Sequence, residues 1–561
     1  MKFYHLIILV LFIVSCQSET KQKLGHTISL KPESIKKGKA IFEQKCSHCH
    51  NFKQDAIGPN LRGLTRRVET SWIKQFIKNP LQMVADNDSR ATQLLETYKI
   101  PMPGFKDLSE TNLDALLSYI HKQENQKLKN NNSLDVIKET IKDTLQYSHL
   151  VAELEFVAQA PATTQKPILA RLNKLDCAGS SGRIFINDMR GSLYELRDKK
   201  VEPYLSLIDY NPDFIHEPGL GAGFSSFAFH PDFQENGLFY TAHSEPKLSK
   251  PSDFSLPDSI PAKIQWVVKE WKTKTPNKNI FKGDSRELLR IDFVGFMHGI
   301  QEMGFNPVTT KDESDYGMLY IGVGDGGGVI KGYPQVAQHG GSQIWGTILR
   351  IDPMGNNSKN GAYGIPPENP FVKQALLKGE IWSYGLRNPT RFSWDLYGRL
   401  FASDIGHKIM EEVNLIDSGQ FYGWPIREGN FALNPNGNQS LAYALPDNDA
   451  DYGATYPIFQ YNQKDGVAIS GGFFARGEKF RGKYIFGDIP TGSLYIGDLF
   501  EAKQRNLKKL KVSIHGKPTT MSKLTKSSRV DLRFGQDCDG NIYLLTKSDG
   551  KIYKIKENLI P

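Results

Sequence analysis

A glycine opens a short strand of alternating apolar and polar positions six times in the C-terminal part of the chain. The runs are Gly182-Arg-Ile-Phe, Gly237-Leu-Phe-Tyr, Gly317-Met-Leu-Tyr, Gly398-Arg-Leu-Phe, Gly482-Lys-Tyr-Ile and Gly540-Asn-Ile-Tyr. Period-two alternation bounded by turn formers predicts strands. Intervals of 55 to 84 residues exceed a bare four-stranded blade and leave room for insertions. Recurrence of one strand module predicts six blades of a β-propeller, each buried only against its neighbours. The first 123 residues read differently. The pattern predicts a helix over 37–45 with Ile41 and Phe42 as apolar anchors, a short amphipathic helix over 71–77, and a closing helix carrying Leu113, Leu116, Leu117 and Ile120. Between the two parts, Gln123 to Asn132 is polar and reads as linker, followed by a helix-like segment from Leu134 to Leu145.

The expected organisation is therefore multidomain: an all-α domain over 34–123, a linker over 124–149 and an all-β six-bladed propeller over 150–561. Ahead of these lie a leader (1–16) and a tether (17–33). Lys2 followed by an apolar run from Leu6 to Val14, too short to span a bilayer, reads as an export signal. Ile13-Val14-Ser15-Cys16 resembles a bacterial lipobox, so Cys16 is expected to carry a lipid anchor. That predicts an exported, membrane-anchored lipoprotein facing the periplasm or cell surface.

Composition adds length and compartment. At 561 residues, two or three domains are expected. The 50 Gly and 30 Pro favour short strands and turns over long helices. The net charge of +9 is modest for this length, and its richest stretch, Lys503 to Lys526, reads as a solvated face. No nucleic-acid motif is present. Cys177 and Cys538 lie in similar turns, and an oxidising compartment permits a bridge between them or two separate thiols.

The chemistry sits first in Cys46-Ser-His-Cys49-His50. Two thiols three positions apart can both add to one haem while the adjacent imidazole reaches its iron. His48 is a spacer. The order of helices around this signature is similar to small class I cytochromes c. Ile100-Pro-Met102-Pro-Gly-Phe105 resembles their methionine loop, which makes Met102 the sixth ligand, with Met83 as the rival. Met/His ligation raises the haem potential and suits an electron acceptor.

The propeller carries a second resemblance. Phe227-Ala-Phe-His-Pro-Asp-Phe233, Gly324-Asp-Gly-Gly327, Leu349-Arg-Ile-Asp-Pro353, Tyr384-Gly-Leu-Arg387-Asn388-Pro389, Glu411-Glu-Val-Asn414 and Tyr422-Gly-Trp-Pro425 together resemble the glucose/sorbosone dehydrogenase family. The resemblance implies a propeller that binds pyrroloquinoline quinone (PQQ) and Ca²⁺ and oxidises an aldose to its lactone. It makes His298, reached from Leu288-Leu-Arg290, the general base. Arg387 and Asn388 become the polar groups beside the quinone, and the carbonyls of Gly406 and His407 the calcium ligands. The chain departs from the family at Gly221, where a glutamine is usual, and at Pro490, near the soluble glucose enzyme's quinone-gripping lysine. Arg529 and Arg533 echo that enzyme's late arginine pair out of register. The whole suggests a quinohaemoprotein dehydrogenase of a sugar or related alcohol, passing electrons through haem c to a downstream redox carrier. The alternative is a non-catalytic ligand-binding propeller with an electron-transfer cytochrome c domain.

Overall fold

In a computed structural model the described residues are 28–46, 50, 52, 59–98, 102, 104–106, 108–123, 136–137, 140–141, 143–165, 168–219, 221–257, 260–337, 340–374, 377–434, 438–446, 449–499 and 506–559. The leader, Cys16 and Cys49 lie outside them. Among the described residues no helix is long and apolar enough to cross a membrane.

The N-terminal helix runs over Pro32–Ile41, with Pro32 in its first turn, and continues as one wide turn over Phe42–Cys46. It therefore starts five residues before the sequence pattern predicts. A proline at the first helical position sacrifices no hydrogen bond there. This helix crosses the closing helix Glu110–Lys122, which Ser109 caps by accepting the Asn112 amide. A Cβ on Gly38 would lie 1.8 Å from the Ala115 carbonyl oxygen, so the crossing is backbone against backbone. Phe42, Phe52, Leu113, Leu116, Leu117 and Ile120 fill the core beneath it, with Cys46 among them.

The large domain is a six-bladed propeller. From first to fourth strand, blade 1 is Leu172–Cys177, Ile184–Asp188, Ser192–Arg197 and Lys200–Ser206. Blade 2 is Ser226–Phe229, Leu238–Pro246, Ile264–Thr273 and Gly283–Phe293. Blade 3 is Ile300–Phe305, Leu319–Val323, Thr347–Ile351 and Ile381–Tyr384. Blade 4 is Pro389–Trp394, Leu400–Asp404, Met410–Ile416 and Phe459–Asn462. Blade 5 is Ile469–Phe474, Lys483–Asp488, Leu494–Asp498 and Asn506–Ile514. Blade 6 takes Leu532–Gln536, Ile542–Thr546 and Lys551–Leu559 from the C-terminus and its outer strand, Tyr147–Gln159, from the start of the domain.

Each of the six glycines read from the sequence precedes the second strand of a blade, with φ between 68° and 84°. Glycine enters this left-handed region without a Cβ penalty, which is why the motif punctuates every blade. The strands it opens do not alternate in burial, however. Phe185, Tyr240, Tyr320, Phe401, Tyr484 and Tyr543 are all at most 5% exposed, and the second strands are covered on both faces. Neighbouring blades supply the second cover, as in the aromatic layer of Phe185, Phe229, Phe239 and Trp271 between blades 1 and 2.

The first strands line the axis, which a buried ion network fills. Lys174 of blade 1 donates to Glu302 of blade 3 at 2.6 Å, and Arg391 of blade 4 pairs with the other oxygen of the same carboxylate. Cys177 and Cys538 are joined, with Cα atoms 5.6 Å apart, where the first strands of blades 1 and 6 end. Of the two readings left open by the sequence, the bridge holds.

The helix-like segment from Leu134 to Leu145 contains no helix among its described residues. Val136–Ile137 is instead a strand paired with Ala442–Tyr443, in a small sheet completed by Arg427–Glu428 and Phe431–Ala432 from the long insertion in blade 4. A partner some 300 positions away overrides local propensity.

Candidate active site

An antiparallel hairpin returns to where it began, so the start of each first strand and the end of each second strand share one end of the disc. The pairs Leu172 with Asp188, Ile300 with Val323, Pro389 with Asp404, Ile469 with Asp488 and Leu532 with Thr546 mark that mouth. His298, Asp325, Arg387, Asn388, Gly406 and His407 all lie in the segments flanking these pairs. The mouth gathers them from blades 3 and 4.

His298 is buried and sits at φ 55°, a sparsely populated conformation for a residue with a side chain. The surrounding backbone is tightly packed. A Cβ on Gly299 would strike the Trp266 indole at 2.0 Å, and one on Gly324 would meet the His298 carbonyl oxygen at 2.3 Å. The imidazole Nδ1 lies 2.7 Å from Asp325 Oδ1. That carboxylate also accepts the Gly327 amide at 2.7 Å and, through Oδ2, the Trp424 indole N–H at 3.1 Å. Asp325 is therefore held on three sides and fixes the ring, which assigns proton transfer to Nε2. Burial, aided by the charges of Arg387 and Lys331, holds the imidazole below its ordinary pKa against the opposing pull of Asp325.

In the sequence Asp325 stands only as part of Gly324-Asp-Gly-Gly327, with no role of its own. The signal was there: an acid in a glycine-rich turn directly after a blade's second strand.

Arg387 stacks over the Trp424 ring at 5.4 Å and donates through Nη1 to the carbonyls of Ile405 (3.0 Å) and Gly406 (2.7 Å). The backbone amides of Arg387 and Asn388 are received by Asp404, whose carboxyl burial pushes up to about 7. Among the described residues, Arg387 Nε and Asn388 Oδ1 are buried without a hydrogen-bond partner. Orphaned buried donors and acceptors call for a ligand, and these two fit the polar edge of a quinone. Calcium fits less well. The Gly406 carbonyl expected to face it is turned to a guanidinium, a cation already in place. Glu428 meanwhile anchors the 406–410 loop by accepting the amides of His407, Lys408, Ile409 and Met410.

In the helical domain, His50 Nδ1 lies 2.9 Å from the Pro59 carbonyl oxygen, which orients the ring and leaves metal ligation to Nε2. Met102 packs against the cluster that contains Cys46, whereas Met83 is buried outside it. The loop is pinned by the Phe105 amide on the Ile77 carbonyl, and Gly104 passes so close to Lys78 that a Cβ would lie 2.7 Å from its oxygen. This donor set fits haem.

Comparison with known proteins agrees with both halves. A family model described as glucose/sorbosone dehydrogenase matches residues 174–554, and one for cytochrome c matches residues 35–124. The chain belongs to the glucose/sorbosone dehydrogenase family. The HIPL1 protein of Arabidopsis thaliana is 29% identical over 408 residues, covering 63% of this chain and 56% of that protein. Aldose sugar dehydrogenase YliI of Escherichia coli K12 is 27% identical over 226 residues, 38% of this chain and 51% of that one. The chain spans about half the length of the curated relatives it matches. The crystal structure of the soluble aldose sugar dehydrogenase from E. coli in the apo-form superposes with a TM-score of 0.50 at 17% identity, covering 72% of this chain and all but 1% of that one. A structure described as glucose dehydrogenase gives 0.53 at 20% identity over 72% of this chain and 99% of the other. At such identities the likeness concerns the fold. A sugar-dehydrogenase-family propeller and a cytochrome c domain thus share one polypeptide.

Proposed function

We propose that this family member is a quinohaemoprotein dehydrogenase that oxidises an aldose, or a related alcohol, and delivers the electrons to its own haem. One observation carries the reading: His298, held by Asp325, opens on the same mouth as the orphaned polar atoms of Arg387 and Asn388. A chain with that mouth and a cytochrome c domain has both a source and an outlet for electrons. PQQ, when bound, supplies the two-electron oxidation. The residues present supply the rest. His298 Nε2 takes the proton of the substrate hydroxyl, Asp325 holds the ring in the tautomer that can accept it, and Arg387 places positive charge beside the cofactor. Cys46, Cys49 and His50 hold the haem, with Met102 as its sixth ligand. Calcium enters no step.

The disulfide and thioether-bound haem both suit an oxidising compartment, and the lipobox-like Cys16 supports attachment to a membrane facing it. The experiment is direct: full-length protein loaded with PQQ, mixed anaerobically with a panel of aldoses while the haem α-band is followed. Reduction by at least one aldose is expected. No reduction across the panel, with no quinone bound, would favour a non-catalytic binding propeller.

The pH dependence has a definite sign. Because the His298 pKa is lowered, the neutral base persists below the ordinary imidazole value of about 6.5, and the acid limb of kcat/KM is expected beneath it. Asp325 raises that pKa, so Asp325→Asn moves the limb lower still. The same lowered pKa makes the His298 contribution to stability complete above about 6.5. It is lost as pH falls through the folded value. A limb at or above the ordinary imidazole value would contradict this placement of the ring.

A further inference from the structure

Opposite His298 and Arg387, the mouth of the propeller holds three cations that the reaction above does not use. Lys547 follows the second strand of blade 6, Arg171 precedes the first strand of blade 1, and Arg533 lies in the first strand of blade 6. Lys547 and Arg171 are each 3% exposed, while Arg533 is half-buried. One thioether, Met189 Sδ, lies 3.1 Å from Lys547 Nζ and 3.9 Å from Arg171 Nη2. Among the described residues that sulfur is the hydrogen-bond partner of the Lys547 amine, and thioether sulfur is a weak acceptor. Arg171 Nε is buried and has no hydrogen-bond partner among the described residues. Arg533 is held through Nε by the Asn173 side chain and through Nη1 by the Leu532 carbonyl, both neutral acceptors.

Among the described residues none of the three lies within ion-pair distance of a carboxylate. Asp188, Asp531 and, for Arg171, Glu217 attract them from beyond that distance, and the first two are committed to other partners. Asp188 receives the amides of Arg171 and Arg190 and the Thr163 hydroxyl. Asp531 receives Arg529 Nε on both oxygens at 3.0 Å. Burial therefore weighs on all three, holding Arg171 and Arg533 down to about 10 and Lys547 well below the usual lysine range. Buried cations with no directly paired carboxylate are disfavoured, so a site that keeps Lys547 and Arg171 buried beside the half-buried Arg533 suits an anion.

Its position names the anion's place. Arg171 Nη2 donates to the Ala222 carbonyl at 2.8 Å. The adjacent Gly221 is so close to the chain before His298 that a Cβ there would lie 3.0 Å from the Phe296 oxygen and 3.3 Å from Met297 Cα. The Gly221–Ala222 segment thus touches both Arg171 and the chain leading to His298. We infer that Lys547, Arg171 and Arg533 form the carboxylate-binding wall of the mouth, gripping a polycarboxylate ligand across from His298 and Arg387. On the reading above that ligand is the quinone, and blades 6 and 1 then provide the positive charge absent at Pro490 of blade 5.

The test is equilibrium binding to the full-length protein, with PQQ and, separately, citrate and inorganic phosphate as probes. PQQ is followed by its absorbance and all three by the shift in melting temperature. Lys547→Met is expected to weaken PQQ binding at least tenfold and to abolish its dependence on salt in part, whereas Lys547→Arg restores it. Without ligand, Lys547→Met should melt no lower than the parent, because it removes a buried charge. A methionine variant that melts lower and binds PQQ within twofold of the parent would overturn the inference, as would a parent that binds none of the probes. Citrate or phosphate bound through Lys547 with no PQQ binding would keep the anion wall and sink the quinone reading instead.

Discussion

Replacing His298 by alanine is expected to lower kcat/KM for the aldose by about 10²- to 10⁴-fold, the range a positioned general base supplies. The expectation rests on how completely the ring is fixed. Its backbone sits at φ 55° between closely packed glycines, and its Nδ1 is held 2.7 Å from an acid that two further donors immobilise. Such a ring has one nitrogen for chemistry and little freedom to point it elsewhere. Quinone binding, read by absorbance, should change far less than turnover, since the base meets the substrate hydroxyl. Turnover equal to that of the parent protein would remove His298 from the reaction.

The second large effect concerns stability. Glu302→Ala leaves Lys174 and Arg391 buried without the carboxylate they share. Breaking a buried pair from one side costs about 3–5 kcal/mol, and here two cations are stranded by one substitution. Lys174 keeps Asp176 at 3.0 Å and the Met303 carbonyl at 2.6 Å, which softens the loss without cancelling it. Arg391 keeps only the Asn173 carbonyl among described partners. Denaturant unfolding of the propeller at neutral pH should show the loss, and Glu302→Gln, which preserves shape and some hydrogen bonds, should lie between. An alanine variant as stable as the parent would mean that the axis network is solvated.

The sequence showed the repeated module because glycine at a left-handed turn is a local requirement that each blade meets separately. It could not show that the strands so opened are covered on both faces. Tyr484 and Phe401 look like one side of an alternating strand until the next blade arrives. The haem signature was legible for the same local reason, whereas the strand at Val136–Ile137 was not, since its partner is Tyr443. In the mouth, His298 and Arg387 stood out through family motifs. Trp424, which touches both Asp325 and Arg387, is marked in the sequence by the resemblance alone. Arg171 and Lys547 carried no sequence signal, because 376 positions separate residues that share one methionine.

The outer strand of blade 6 bears on how this protein can be cut. Tyr147–Gln159 belongs to the ring although it precedes the first residue matched by the dehydrogenase family model. Leu145 and Ile141, earlier still, are fastened to Asp465 and Asn462 of the blade 4–5 turn. A recombinant propeller begun at residue 174 would be a five-and-three-quarter-bladed ring with an exposed edge, and an aggregation hazard. Begun ahead of residue 136, it would carry its own latch.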